Sequence, residues 1–265
     1  MDFTYEQAPL VEVIAEAFWP LIPLSAIPGG AVDPFFLRAS NQFREEVAAL
    51  GYGVTESIVP PGVPMEMIPN QVVTRYRHRP EGWPLFQVGP GIFTANMVPP
   101  YAGWGAFRST LADGYAAATR AYQKAGRAEN DVDHLSLRYI NAFTAAHGFD
   151  GKQAIFLDQH LGLRVDIARE LPEGVRVEWD MREIQLVLHA PSSAPKGSRF
   201  TLMASVGHAA DQPACILELA IRGRPENDAI EWFDQAREAI RLTFESLISP
   251  DLQERIGPRV DQAAR

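Results

Sequence analysis

Between Tyr101 and Ala125, Trp104, Phe107, Leu111, Tyr115, Ala118 and Tyr122 recur at intervals of three and four residues. That period puts all of them on one stripe of an α-helix, and an apolar stripe of this length has to be buried against another surface. A helix over Tyr101–Ala125 is therefore predicted, with Gly126 as its stop. A second stripe closes the chain. Ile230, Phe233, Ala236 or Arg237, Ile240, Phe244 and Leu247 predict a helix from about Asp228 to Ile248. Glu231, Asp234, Glu238, Arg241 and Glu245 fall on its outer side, and Pro250 stands just beyond it. A third helix, Pro34 to Leu50, is announced by Asp33-Pro34, a capping acceptor followed by a residue preset for the first turn. Phe36, Phe43, Val47 and Leu50 give its spacing and Gly51 ends it.

What these helices cover must be sheet, because most other apolar segments alternate with a period of two. Pro9–Phe18 sets Val11, Val13, Ala15 and Ala17 against Glu12 and Glu16, and Val72–Arg79 sets its valine, threonine and tyrosine against Arg75, Arg77 and Arg79. The clustered cations of that second strand read as a solvated face. Leu85–Val88 and Ile92–Met97 flank Gly89-Pro90-Gly91 as a hairpin. His134–Phe143, Val175–Trp179, Glu183–Ala190, Phe200–Val206 and Cys215–Ile221 are further strands, separated by turn-rich Pro191–Ser198 and Gly207–Pro213. Phe156–Ala168 reads as a short helix or an irregular piece, and the proline- and glycine-bearing stretch from Leu21 to Asp33 reads as a loop.

The fold class expected is α+β: antiparallel sheet or sheets packed against long amphipathic helices. The chain is either one α+β unit over 1–265 or two strand-plus-helix lobes of pseudo-duplicated form, 1–128 and 129–250, followed by a flexible tail, 251–265. A helix lying across a curved sheet makes cavities, so a ligand is expected under the Tyr101–Ala125 helix.

Composition narrows the partners. Thirty-three acidic against 24 basic residues give a formal net charge of −9, which disfavours the counterion-releasing contacts that nucleic acid and anionic lipid need. Neither is an expected partner. Glu12 and Glu16 interrupt the first apolar stretch, so neither a signal peptide nor a membrane span is read there. The one cysteine, Cys215, sits in an apolar run and has no internal disulfide partner. A reducing cytoplasm is the expected compartment.

Motifs that carry chemistry are sparse. Gly89-Pro90-Gly91 lacks the lysine and helix start of a phosphate loop, and the sequence holds no His-Glu-x-x-His, paired cysteine or Gly-x-Ser-x-Gly pattern. No cofactor and no metal are expected. Asp158-Gln159-His160 pairs a carboxylate with an imidazole, the donor types of acid–base or metal chemistry. Glu12 and Glu16 would stand about 13 Å apart at roughly 3.3 Å per residue, too far to act on one bond. Arg138 and Asn141 interrupt an apolar strand beside Tyr139, and together they offer a cation and an amide to a ligand beneath a helix. Trp104 joins them as the aromatic of the first stripe. The ligand-binding candidates are thus Arg138, Asn141, Tyr139, Trp104, Asp158 and His160; for each, an ordinary packing or ion-pair role is the competing reading.

The same residues carry a resemblance. Pro9-Leu10-Val11-Glu12-Val13 after Tyr5, Leu85-Phe86-Gln87-Val88-Gly89-Pro90-Gly91-Ile92-Phe93-Thr94-Ala95-Asn96, Tyr101-x-x-Trp104-x-x-Phe107, Leu137-Arg138-Tyr139-Ile140-Asn141 and a closing Trp232–Phe244 helix together resemble a sporadically distributed family of bacterial and archaeal proteins. The likeness spans nearly the whole chain. It implies no particular activity, since that family is defined by sequence; its patchy distribution resembles that of horizontally transferred accessory genes, defence and toxin–antitoxin partners among them. Ala220-Ile221-Arg222 departs from it where an acidic residue is expected, so no carboxylate site is carried over there.

The function expected is that of a non-enzymatic ligand- or protein-binding or assembly protein, acting with copies of itself or with a partner protein, and in one version as an accessory factor of a defence locus. The alternative is an enzyme using Asp158, His160 and a strand-borne Arg or Glu on a small phosphorylated or nucleotide-like substrate.

Overall fold

The alternating segments pair into one sheet. The computed structural model describes residues 3–128, 131–165, 183–226 and 228–261. Its first half runs β1 (Phe3–Tyr5), β2 (Leu10–Phe18), β3 (Ile22–Pro23), β4 (Ala31–Val32), α1 (Phe36–Ala49), β5 (Val54–Ser57), β6 (Thr74–Arg77), β7 (Leu85–Gly89), β8 (Ile92–Met97) and α2 (Trp104–Ala125). The second runs β9 (His134–Phe143), α3 (Gln153–Leu161), β10 (Leu186–Pro191), β11 (Arg199–Ala209), β12 (Gln212–Gly223), α4 (Ala229–Leu247), α5 (Pro250–Ile256) and β13 (Arg259–Asp261). Nine strands form an antiparallel sheet in the order β10-β11-β12-β9-β2-β8-β7-β6-β5. The fold is α+β. β2 and β9 lie side by side at the centre, so each half of the chain supplies one wing of a shared sheet.

Period-two alternation sorts the faces. Val13, Ala15 and Ala17 of β2 are fully buried and pair across with Tyr139, Leu137 and Leu135 of β9, while Glu12, Ile14 and Glu16 point the other way. The helices pack on the first face, α2 over β8 and α4 over β9 and β12, with α1 laid on α2 and reaching β7. Every residue of the α2 stripe except half-buried Tyr115 is buried, Phe107 and Leu111 completely. Phe43 of α1, Tyr76 of β6, Phe86 of β7 and Phe93 of β8 meet in a cluster with ring centroids 5.3–6.4 Å from Phe43. Each such ring contributes about 1.5–3 kcal/mol of burial. Gly114 lets α2 settle onto this cluster, because a Cβ there would lie 2.4 Å from the Phe86 ring. In the β7–β8 hairpin Pro90 is followed by Gly91 at φ +69°, the residue order of a type II turn.

Several expectations change. α1 begins at Phe36, because Asp33 uses one carboxylate oxygen on the Phe35 N–H and the other on the Gly91 N–H and the Tyr122 hydroxyl. The stretch from Leu21 to Asp33 holds the two-residue ribbon β3–β4. Gly207–Pro213 is mostly strand: β11 and β12 run on to a two-residue turn at Ala210-Asp211, both at positive φ. Arg75 and Arg77 do not form a solvated face. Arg77 is 6% exposed, bonded to Gly82 O, ion-paired with Glu56 and laid over Trp83. Within the stretch expected as a tail, residues 251–261 hold structure: Leu252 and Ile256 of α5 are fully buried, and β13 pairs with β1, tying the two ends of the described chain together. Apolar positions in that short helix dock on a neighbour, which local sequence does not reveal. Val175–Trp179 lies outside the described residues, as do the last residues of the Phe156–Ala168 piece, whose opening forms α3.

Candidate functional site

A wide space lies beneath α4. Under α2 Gly114 fits closely on Phe86, and the space left between α1, α2 and Val88 is about 10 Å³. At the other end of the sheet a cleft of about 760 Å³ opens between the second half of α4 and the strands. Its floor is Tyr139 and Asn141 of β9 with Leu219 of β12 and Leu10 of β2. One wall is Arg237, Ile240, Arg241, Phe244 and Glu245; the other is the chain from Tyr5 to Pro9 together with Pro99–Ala102, and Val260 of β13 closes one side.

A bulge shapes this end. The β2–β9 register slips between Leu10 and Glu12, leaving Val11 as the extra residue, so that Leu10 pairs with Asn141. Upstream of Leu10 the chain leaves the sheet and becomes the cleft wall, with the Ala142 N–H donating to Pro9 O at 2.8 Å.

The lining is aromatic with a balanced set of charges. The Tyr101 and Tyr139 hydroxyls are 3.2 Å apart, with the rings edge-on at 6.5 Å. Phe244 stacks parallel to Phe143 at 6.5 Å and meets Tyr5 at 6.3 Å. Burial pushes the Tyr5 phenol above its ordinary pKa, against the hydrogen bond from Arg259. Arg237 pairs with Glu238, Arg241 with Glu238 and Glu245, and Glu245 also with Arg259. The bond to Glu238 chiefly raises the Arg241 pKa and holds that of Glu238 below the usual carboxylate range. Among the described residues two cations, Arg237 and Arg241, thus face two carboxylates, Glu6 and Glu245, around the cleft.

Asn141 is 5% exposed. Its Nδ2 donates one hydrogen to Leu217 O at 3.4 Å, while its second N–H and its Oδ1 have no partner among the described residues.

The sequence candidates separate into four places. Tyr139 and Asn141 line the cleft. Arg138 lies on the opposite face of the sheet, where it makes a two-pronged pair with Glu218 at 2.8 and 3.0 Å and stands 4.0 Å from Glu16. Burial there lifts the Glu16 carboxyl above its ordinary pKa, with Arg138 opposing. Trp104 donates its indole N–H to Asp234 at 2.7 Å, and Arg108 clasps the same carboxylate, so this cluster joins α2 to α4. His160 packs on Phe156 and holds Ser249 and Asp251 at 3.4 Å each, while Asp158 is exposed on α3. The structure therefore brings Tyr139 and Asn141 together and keeps Arg138, Trp104 and the Asp158–His160 pair elsewhere. Residues 5–9, Pro99–Ala102 and Arg237–Glu245 complete the cleft. Arg237 was readable as a position on the inner stripe of the last helix; the wall built by the chain termini had no local signal.

The opposite face carries a polar ladder. Glu56 of β5, Arg75 of β6, Gln87 of β7, Thr94 and Asn96 of β8 and Glu12 of β2 are linked in sequence by side-chain hydrogen bonds of 2.6–3.4 Å. Gln87, Thr94 and Asn96 are buried, and their mutual bonds meet the demand that burial places on polar groups. Among the described residues no three His, Cys, Asp or Glu side chains are grouped so as to hold a metal ion, and no described helix is long and apolar enough to cross a membrane. No protein-family model, no curated protein and no solved structure matches this chain.

Proposed function

We propose that this chain is a non-enzymatic binding protein whose cleft between α4 and the β2–β9–β12 floor receives a small molecule. One observation carries the reading: a 760 Å³ opening lined by tyrosine and phenylalanine rings whose floor contains a 95%-buried asparagine with open hydrogen-bonding capacity. An amide that the protein itself leaves partly unpaired at the floor of a cleft offers a ligand a specific polar partner among apolar rings. The enzymatic alternative draws less support, because Arg138 is paired with Glu218 and lies across the sheet from the cleft, and His160 contacts Ser249 and Asp251. The resemblance to a patchily distributed family extends the reading to an accessory factor of a defence-type locus in the bacterial or archaeal cytoplasm, working with copies of itself or a partner protein; gene neighbours test that extension.

The binding reading is tested by NMR screening of an aromatic fragment set, including indole and toluene. Shifts should concentrate on Tyr139, Leu219, Ile240 and Phe244, and a cleft-filling Ala102→Trp variant should abolish them. Binding confined to other surfaces, or turnover of a substrate by a chain that binds nothing in the cleft, would overturn it.

A further inference from the structure

The chemistry of the floor narrows the ligand. Asn141 Nδ2 spends one N–H on Leu217 O, and its other N–H and its acceptor oxygen have no partner among the described residues. A planar group that offers a donor and an acceptor on adjacent atoms meets both at once, which is how an asparagine amide engages a nucleobase edge. The rings of Tyr101, Tyr139 and Phe244 stand around the same space and suit a flat partner. Charge points the same way. Arg237 and Arg241 are already matched with Glu238 and Glu245, and among the described residues of the lining cations and carboxylates are equal in number, so the described lining offers an anion no excess positive charge.

Resting on the binding reading above, we infer that the cleft selects a neutral, planar heterocycle carrying a cyclic amide, the lactam edge shared by oxidised pyridines and by uracil- or guanine-type bases, and that Asn141 reads that edge.

The test uses the full chain and two probes of nearly the same shape, 2-pyridone, which has the lactam N–H, and N-methyl-2-pyridone, which lacks it. Affinities are read from NMR titration. 2-Pyridone is expected to bind in the cleft about fivefold or more tighter than its methylated analogue, the lower end of what a two-point amide contact discriminates. Asn141→Ala and Asn141→Leu are expected to erase that ratio. The wild-type comparison needs no variant to fold. Equal affinities, or a ratio that survives in both variants, overturn the inference. If indole or toluene occupies the cleft while 2-pyridone does not, the lactam inference falls and the binding reading stands; if nothing occupies the cleft, both fall.

Discussion

Removing the Asp33 carboxylate should unseat the junction of α1, the β7–β8 turn and the end of α2. Its side chain is fully buried and accepts from Arg127 Nη2 at 2.9 Å, the Gly91 N–H at 2.9 Å, the Tyr122 hydroxyl at 2.8 Å and the Phe35 N–H at 3.0 Å. Arg127 is 3% exposed in its side chain and lies over the Phe35 and Tyr122 rings. Burial and the nearby Asp33 charge together hold the Tyr122 phenol well above its ordinary pKa, so it stays a donor. Asp33→Ala strands a buried guanidinium and three further donors. Breaking a buried pair from one side costs about 3–5 kcal/mol, a large share of the roughly 5–15 kcal/mol of a whole domain. Arg127 keeps Asp131 and Pro20 O, which favours the lower figure. Urea unfolding followed by tryptophan fluorescence suits the site, since buried Trp19 packs on Tyr122 at 4.4 Å. The midpoint should fall with the slope unchanged. Arg127→Met should cost a comparable amount, and the double variant less than the sum, with a coupling of about 1–3 kcal/mol. An Asp33→Ala loss below about 1 kcal/mol, or additive variants, would refute the claim that a mutually neutralising pair organises this junction.

Three further outcomes follow from packing and burial. Gly114→Ala should destabilise by up to about 2 kcal/mol in urea melts: the usual helical gain near 1 kcal/mol is outweighed by about 1–3 kcal/mol of overpacking, since the new methyl meets the Phe86 ring at 2.4 Å; a stabilised variant would show the ring can yield. His147 accepts from the Thr144 N–H at 3.0 Å and donates to Gln7 O at 3.2 Å, and burial lowers its pKa from 6.5. Its neutral form is the folded form, so its contribution is complete above about pH 6.5 and declines as pH falls towards the depressed folded value, because the unfolded chain takes the proton first. The stability gap between wild type and His147→Gln, measured from pH 7.5 to 5.5, should shrink on acidification, and a widening gap would reverse the assignment. Cys215 is fully buried and its thiol is pushed up to about 12 by desolvation, so an aromatic disulfide reagent at pH 8 should label it only when urea is present; rapid labelling of the folded chain would contradict its place in the core.

Local sequence was informative wherever one element's own period reported its burial. The stripe from Trp104 to Tyr122 predicted α2 to within a turn, Asp228 caps α4 through the Glu231 N–H as its position suggests, and the Leu85–Met97 hairpin forms around Pro90-Gly91. Strand parity also held more than was drawn from it. Arg138 and Asn141 are three residues apart on β9 and so face opposite sides, which parts the cation from the amide before any coordinates are seen. Glu12 and Glu16 share the face of Arg138 for the same reason, and Asn96 donates to Glu12.

Tertiary structure alone decided what meets what. The alternation of a strand states which side is buried but not which strand lies next to it, so the central pairing of β2 with β9 came only from the assembled sheet. The slip at Val11 that frees residues 5–9 to wall the cleft leaves no mark in composition, because a bulge answers to the partner strand's register. Likewise α5 and β13 are too short for a period to show, yet Leu252 and Ile256 are fully buried by docking and β13 is held by β1. In sequence Asn141 stands out only as a polar interruption of an apolar strand; that its amide faces an open cleft follows from the placement of α4 over the sheet, which long-range packing sets.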